Sequence, residues 1–248
     1  MSDSKSYPFL TSKPVVKSIV EKGLEKYDTG LQKDFIKYLH KNLLQKKVKY
    51  PLLEYATKLM HDKIPKEEQM TITDSVMKLN ENGSSVIAGM MLQLRLGKEI
   101  AAPIKKACEY IILGDIWLVC DTISERVMGH ALLTQPEKTI PILKKLTRED
   151  NKWLVRSVGV ATHYATKKGL KKVYAEEMFL LLFSLSHITE FHTKTGVGWG
   201  AKTIAKFHPD IIAKYRSKID DSKTVRPWFN RKIKIGLGRS DKYAGRYE

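Results

Sequence analysis

Gly114-Asp-Ile-Trp-Leu-Val-Cys-Asp121-Thr-Ile-Ser124 reads as the opening of a helix. Ile116, Val119, Cys120, Ile123, Val127 and Ala131 recur at the spacing of one helical face, so the segment 115–134 buries one stripe against a neighbour. Gly114 closes the helix before it, as glycine does at a helix C-terminus. Trp117 and Asp121 stand four residues apart on the flank of the stripe, with Ser124 and Met128. Such a pair is ordinarily an edge-of-core indole beside a solvated carboxylate. In this chain it draws notice because the formal net charge is +17.

The same periodicity runs outward in both directions. Pro14, Pro51, Pro136, Pro209 and Pro227 each suit the first turn of a helix. Helices are expected from Pro14, over 31–43, from Pro51, over 66–78, 86–96, 100–113 and 115–134, and from Pro136 and Asn151. Four more follow over 172–188, 194–207, 209–219 and 225–236. No hairpin signal or strand–helix–strand alternation interrupts them. The chain reads as all-α, with paired antiparallel helices on short turns resembling the unit of an α-solenoid. The expected organisation is a flexible N-terminus over 1–13, one helical-repeat domain over 14–236 and a basic, frayed C-terminal tail over 237–248.

Composition narrows the partners. Lys and Arg number 44 against 27 Asp and Glu, a field that attracts nucleic acid or an anionic surface. Hydrophobic residues make up 42%, enough for a globular core. Cys108 and Cys120 lack metal or redox spacing and read as packed thiols. The first residues carry no secretory apolar stretch, and no segment has the run of apolar residues that spans a bilayer. A cytoplasmic protein, nucleoid-associated when bound to DNA, is the expectation, with no metal, cofactor or membrane partner.

Two later helices bear on the Trp117–Asp121 pair. In the helix after Asn151 the apolar stripe is Leu154, Ser157, Val158, Ala161 and Ala165 or Thr166. Arg156 projects nearly opposite, on the side of Lys152, His163 and Lys167, a basic ridge suited to phosphates or merely a solvated face. In the helix after Thr193 the stripe is Val197, Ala201, Ile204 and His208. Trp199 lies almost opposite it between Lys202 and Lys206, with Lys194 one turn back. An indole there either packs on a neighbouring helix or lines a nucleic-acid groove. Gly196, Gly198 and Gly200 around it imply close backbone approach, to another helix or to a ligand.

Three motifs in this order resemble the AlkD-type DNA alkylation repair proteins, alkylpurine DNA glycosylases built from HEAT-like repeats. They are Asp115-Ile-Trp-Leu-Val-Cys-Asp121, Asp150-Asn-Lys-Trp-Leu-Val-Arg156 and Glu190-Phe through Gly198-Trp199. The resemblance is clearest over 114–214. It implies an α-solenoid of HEAT-like antiparallel helix pairs with a curved, concave, basic surface that wraps duplex DNA. It implies hydrolysis of the N-glycosidic bond of 3-methyladenine and 7-methylguanine by a monomer without a cofactor and without strand cleavage. By the same resemblance Asp121 is the catalytic aspartate, Trp117 and Trp199 cradle the lesion sugar, and Arg156 lies on the DNA face. Lys152, Lys194, Lys202 and Lys206 complete the expected DNA contacts. The Lys194-Thr-Gly-Val-Gly-Trp-Gly200 segment is richer in glycine than the family's pattern. Two other readings remain: a solenoid that binds damaged or branched DNA without catalysis, and a helical protein–protein scaffold.

Overall fold

The structure is a computed structural model that describes residues 7–28, 30 and 32–246. Residues 1–6 and 247–248 of the expected tails, and Leu31 of the expected second helix, lie outside the described residues. Helices make up 75% of the chain, so the all-α class holds. One exception to the sequence reading is small: Phe9–Leu10 and Lys47–Val48 pair as two-residue parallel strands, in register Phe9 to Lys47. Two residues are too few to show as alternation in sequence. The chain divides into two compact units, 1–95 and 96–248.

In the first unit α1 (Lys13–Asp28) carries Pro14 in its first turn and buries Val16, Val20 and Leu24 at helical spacing. α2 (Gln32–Leu39) buries Phe35 and Leu39 and runs into a π-turn over His40–Leu44. α3 (Tyr50–Lys63) has Pro51 in its first turn and stops before Pro65, whose ring disfavours helix in the residue ahead of it. α4 (Gln69–Lys78) and α5 (Asn82–Leu94) complete the unit. α5 begins four residues earlier than the helix expected over 86–96, because Asn80 turns the chain with φ 52° and Glu81 already stands at the N-cap. Phe35, Leu39, Leu43, Met60, Ile87 and Met91 are fully buried among these helices.

The second unit opens with α6 (Ala101–Gly114). α7 (Trp117–Ser124), a π-turn (Glu125–Gly129) and α8 (His130–Thr134) follow as one continuous rod. Next come α9 (Pro136–Leu146), α10 (Lys152–Lys167), α11 (Lys172–Ser184), α12 (Phe191–Phe207), α13 (Pro209–Lys214), α14 (Arg216–Ile219) and α15 (Pro227–Leu237). α10 packs on the α7–α8 rod, α12 on α10 and α15 on α12, forming one layer. α6, α9, α11 and α13 each pack on a neighbour in that layer. Pairs stacked on pairs are consistent with an α-solenoid.

The π-turn explains a departure in the rod. Ser124 and Met128, projected onto the flank with Trp117 and Asp121, are fully buried. A π-turn holds an extra residue, so the face that looks outward before Glu125 turns inward after it and carries Met128 with it, while Ser124, ahead of the turn, lies beside Cys120 in the buried stripe of α7. Part of the segment expected as a tail makes contacts with α12. The ring of Tyr243 meets Phe207 at 5.3 Å, and the Lys206 ammonium lies 3.2 Å from the centre of the Tyr243 ring.

Candidate active site

Three helix starts build the site, each fixed by a local device. At the α6–α7 turn Asp115 takes the left-handed conformation, φ 42°, and its Oδ1 accepts a 2.6 Å hydrogen bond from Trp153 Nε1. That bond ties the turn ahead of Trp117 to α10. Asn151 caps α10 by accepting from the backbone N–H groups of Trp153 and Leu154. Glu190 caps α12 by accepting from His192 and Thr193 N–H. Burial works to raise the Glu190 carboxyl, but these two backbone hydrogen bonds, with help from the Thr193 side chain, outweigh it and hold the group below its usual range. Thr193 Oγ1 then donates to the Lys152 carbonyl at 3.2 Å, joining the two helix starts.

Asp121 and Arg156 face each other across α7 and α10. Arg156 Nε donates to Asp121 Oδ1 at 2.7 Å and Nη2 to Oδ2 at 2.8 Å, a bidentate fork. Arg156 Nη1 donates to the His192 carbonyl on α12 at 2.9 Å, so all three nitrogens are engaged. Burial opposes the guanidinium charge, but the hydrogen bonds and negative charge of Asp121 outweigh it and raise the Arg156 pKa. Arg156 is only 5% exposed. The solvated ridge inferred from its own helix is therefore incorrect for this residue, while Lys152 and Lys167 do stay exposed. The face of α10 opposite its own stripe is covered by α7 and α12, which no projection of one helix can register.

The tryptophans sit differently. Trp117, one turn before Asp121, is 51% exposed despite its size. Trp199 is half-buried and stacks on His163 of α10, with ring centres 4.0 Å apart and planes 24° from parallel. Thr203 holds both partners: its hydroxyl donates to the Trp199 carbonyl and lies 2.7 Å from His163 Nδ1. Burial pushes the His163 pKa down to about 3, with help from the charges of Lys167, Lys202 and Lys206, so its ring is neutral. One face of the Trp199 indole is thus covered by an uncharged ring.

The glycines around Trp199 meet helices. A methyl group at Gly159 would lie inside contact distance of the Gly196 carbonyl, and one at Gly200 would lie 2.7 Å from the Gly159 carbonyl oxygen. Gly196 itself faces Arg156, with 2.6 Å from a notional Cβ to Arg156 Cγ. The close approach of α12 to α10 brings Trp199, one turn beyond Gly196, to the helix that carries Arg156. Asp121 is thereby joined directly to Arg156, and Trp117 and Trp199 are tied to that pair through their helices.

Of the lysines expected at the site, Lys152 Nζ lies 5.0 Å from the centre of the Trp153 ring and Lys194 Nζ 5.7 Å from that of Phe191. Lys202 and Lys206 are half-buried on α12. Sequence reasoning missed Asp115, His192 and Thr203 as supports. Asp115 carried a legible signal, since it follows Gly114 at a helix end where Asp tolerates the left-handed region. His192 contributes through its carbonyl, which has no side-chain signature.

Comparison with the curated proteins and with the solved structures found no match. Among the described residues no helix is long and apolar enough to cross a membrane. A family model described as DNA alkylation repair enzyme matches residues 28–230, a span that contains α7, α10 and α12 whole, and the chain belongs to that family.

Proposed function

We infer that the protein is a monofunctional alkylpurine DNA glycosylase. It hydrolyses the N-glycosidic bond of cationic alkylated purines such as 3-methyladenine and 7-methylguanine in duplex DNA and leaves the strand intact. The observation that carries this reading is the Asp121 carboxylate, gripped at both oxygens by Arg156 yet 15% exposed at its side chain, one turn from a largely exposed indole.

The chemistry needs little more. An alkylated purine is already a cation, so the C1′–N bond can break with its electron pair leaving on the base, which becomes neutral. The sugar is left oxocarbenium-like, as in glycoside hydrolysis generally. Asp121 stabilises that charge and orients the water whose oxygen adds to C1′, one proton of that water passing by way of the carboxylate to solvent. Trp117 and Trp199 offer electron-rich faces worth on the order of 0.5–2 kcal/mol each to a nearby cation. No lysine nucleophile attacks the sugar, so no covalent adduct leads to strand cleavage. With its three nitrogens occupied, Arg156 enters as a positioning residue that fixes the orientation of the Asp121 carboxylate. Each carboxylate oxygen retains a second lone pair for water. Phosphate contact falls to Lys152, Lys194, Lys202 and Lys206.

Methylated duplex DNA incubated with the protein should release 7-methylguanine, measured by chromatography of free bases. Asp121→Asn should lower the single-turnover rate by about 100- to 1,000-fold, the scale of losing one electrostatic stabiliser, with duplex affinity retained. Unchanged release by that variant would sink the mechanism. The same closed Asp121–Arg156 pair favours a second reading, a solenoid that binds damaged or branched DNA without chemistry. Its mark is salt-sensitive duplex binding with no base released.

A further inference from the structure

Gly198 is the glycine of the α12 segment that α10 does not account for. A Cβ there would lie 2.8 Å from Cγ and 3.3 Å from Cε of Lys232, on α15. The stem of Lys232 therefore lies across α12 in the gap that the missing side chain leaves, next to the Trp228 ring, whose Cζ3 is 3.3 Å from the same notional Cβ, at the position preceding Trp199 in sequence. One turn further along α15, Gly236 presses against the Lys202 carbonyl and would place a Cβ 2.7 Å from that of Ala205. Two glycines, one on each helix, let α15 settle onto the backbone of α12.

The consequence is a gathering of like charges. Lys202 and Lys206 come from α12, Lys232 from α15 and Arg239 from just beyond its end. Burial, then the neighbouring charges of Lys232, Arg239 and Lys206, push the Lys202 pKa down. Among the described residues no carboxylate lies within ion-pair distance of any of the four. Cations brought together without an acid repel one another, and the arrangement gains free energy when an anion joins them. Arg supplies a planar fork and Lys a point charge, both suited to phosphate oxygens. A half-buried indole adjoining such a cluster is the surface a polynucleotide strand uses, with bases or sugars on the ring and phosphates on the cations.

We propose that α15 and the turn after it complete a strand-binding site: Lys232 and Arg239, carried across α12 at Gly198 and Gly236, join Lys202 and Lys206 to hold two neighbouring phosphates of a nucleic-acid backbone on one flank of Trp199. The proposal rests on the DNA-binding part of the function inferred above. It also extends it, because Lys232 and Arg239 lie beyond residue 230, where the family match ends.

The test is the salt dependence of binding to a fluorescent duplex, read as the slope of log affinity against log salt concentration. Lys232→Met keeps the stem that fills the gap at Gly198 and removes only the charge. That variant and Arg239→Gln should each make the slope shallower by about 0.9, and the double variant by about 1.8, one step for each phosphate that the protein no longer neutralises. Gly198→Ala should reproduce Lys232→Met by displacing the stem. Lys145→Met, on exposed α9 surface, should leave the slope as in the parent. Circular dichroism and thermal melting establish that each variant is folded. If the parent binds duplex and the folded double variant keeps the parent slope, the site is wrong and the DNA reading stands. If the parent binds no duplex at low salt, both fall together.

Discussion

Asp121 and Arg156 stabilise the fold only as a pair. Each is largely removed from water, and their attraction together with three hydrogen bonds offsets that desolvation. Arg156→Ala leaves a mostly buried carboxylate without its counter-charge and should lower unfolding free energy by about 3–5 kcal/mol in urea titration. Arg156→Met combined with Asp121→Asn should cost clearly less than the two single changes summed, since the members of a buried pair are not additive. Asp115→Ala should also destabilise, by about 1–3 kcal/mol, because Trp153 Nε1 loses its acceptor and the turn ahead of Trp117 loses its tie. Asp115→Asn, which keeps an acceptor and tolerates the left-handed turn, should recover most of that loss in the same titration.

At the scale of helices, the decisive contacts are between backbones. Gly159→Ala would drive a methyl group into the Gly196 carbonyl, and both partners are backbone that cannot swing aside. The variant should lose several kcal/mol or fail to fold, whereas Gly97→Ala, with open space around it, should be neutral or slightly stabilising. Comparing the two melting temperatures tests whether α10 and α12 are held by contact or merely by proximity. These helices also show what was legible in the sequence. Their existence, their order and the stripes Leu154–Val158–Ala161 and Val197–Ala201–Ile204 follow from period and from proline and glycine punctuation, and those residues are buried. The side of α10 that bears Arg156 was not legible, because a helix packed on two sides has a second buried face with polar members. Trp199 projects away from its own stripe, and its partner His163 lies 36 residues earlier on another helix, a pairing that the period of one helix does not reveal. Met128 departs from the flank it shares with Trp117 on a regular helix because the π-turn ahead of it leaves no mark in amino-acid type.

For the whole molecule, stability should be highest between about pH 6.5 and 9. His163 titrates near 3 when folded against 6.5 when unfolded. Between pH 6.5 and about 3 the unfolded chain therefore binds more protons, and stability falls as pH drops through that range, by at most about 1.4 kcal/mol per pH unit for this one group. His130, lowered by burial, and the lowered carboxyls of Glu190 and Asp210 act in the same direction at acid pH. On the alkaline side burial holds the thiols of Cys108 and Cys120 at about 11 and about 12, against 9.0 unfolded. Above pH 9 the unfolded chain loses those protons first and is favoured. Urea midpoints across pH should trace this plateau, and His163→Phe, which keeps an aromatic ring against Trp199, should flatten the acid limb below 6.5.

The glycine seams between α10, α12 and α15 carry a thermodynamic consequence for complex formation. Where main chains touch, no side chain stands between them to change rotamer, so the three helices have little internal freedom left to lose. Trp199 and Lys232, proposed above to meet DNA, ride on this block and are ordered before a ligand arrives, as is Arg156, which holds Asp121. Calorimetry of association should then show a heat-capacity change accounted for by the apolar surface buried at the interface, without the larger, more negative change that accompanies ordering of a protein segment.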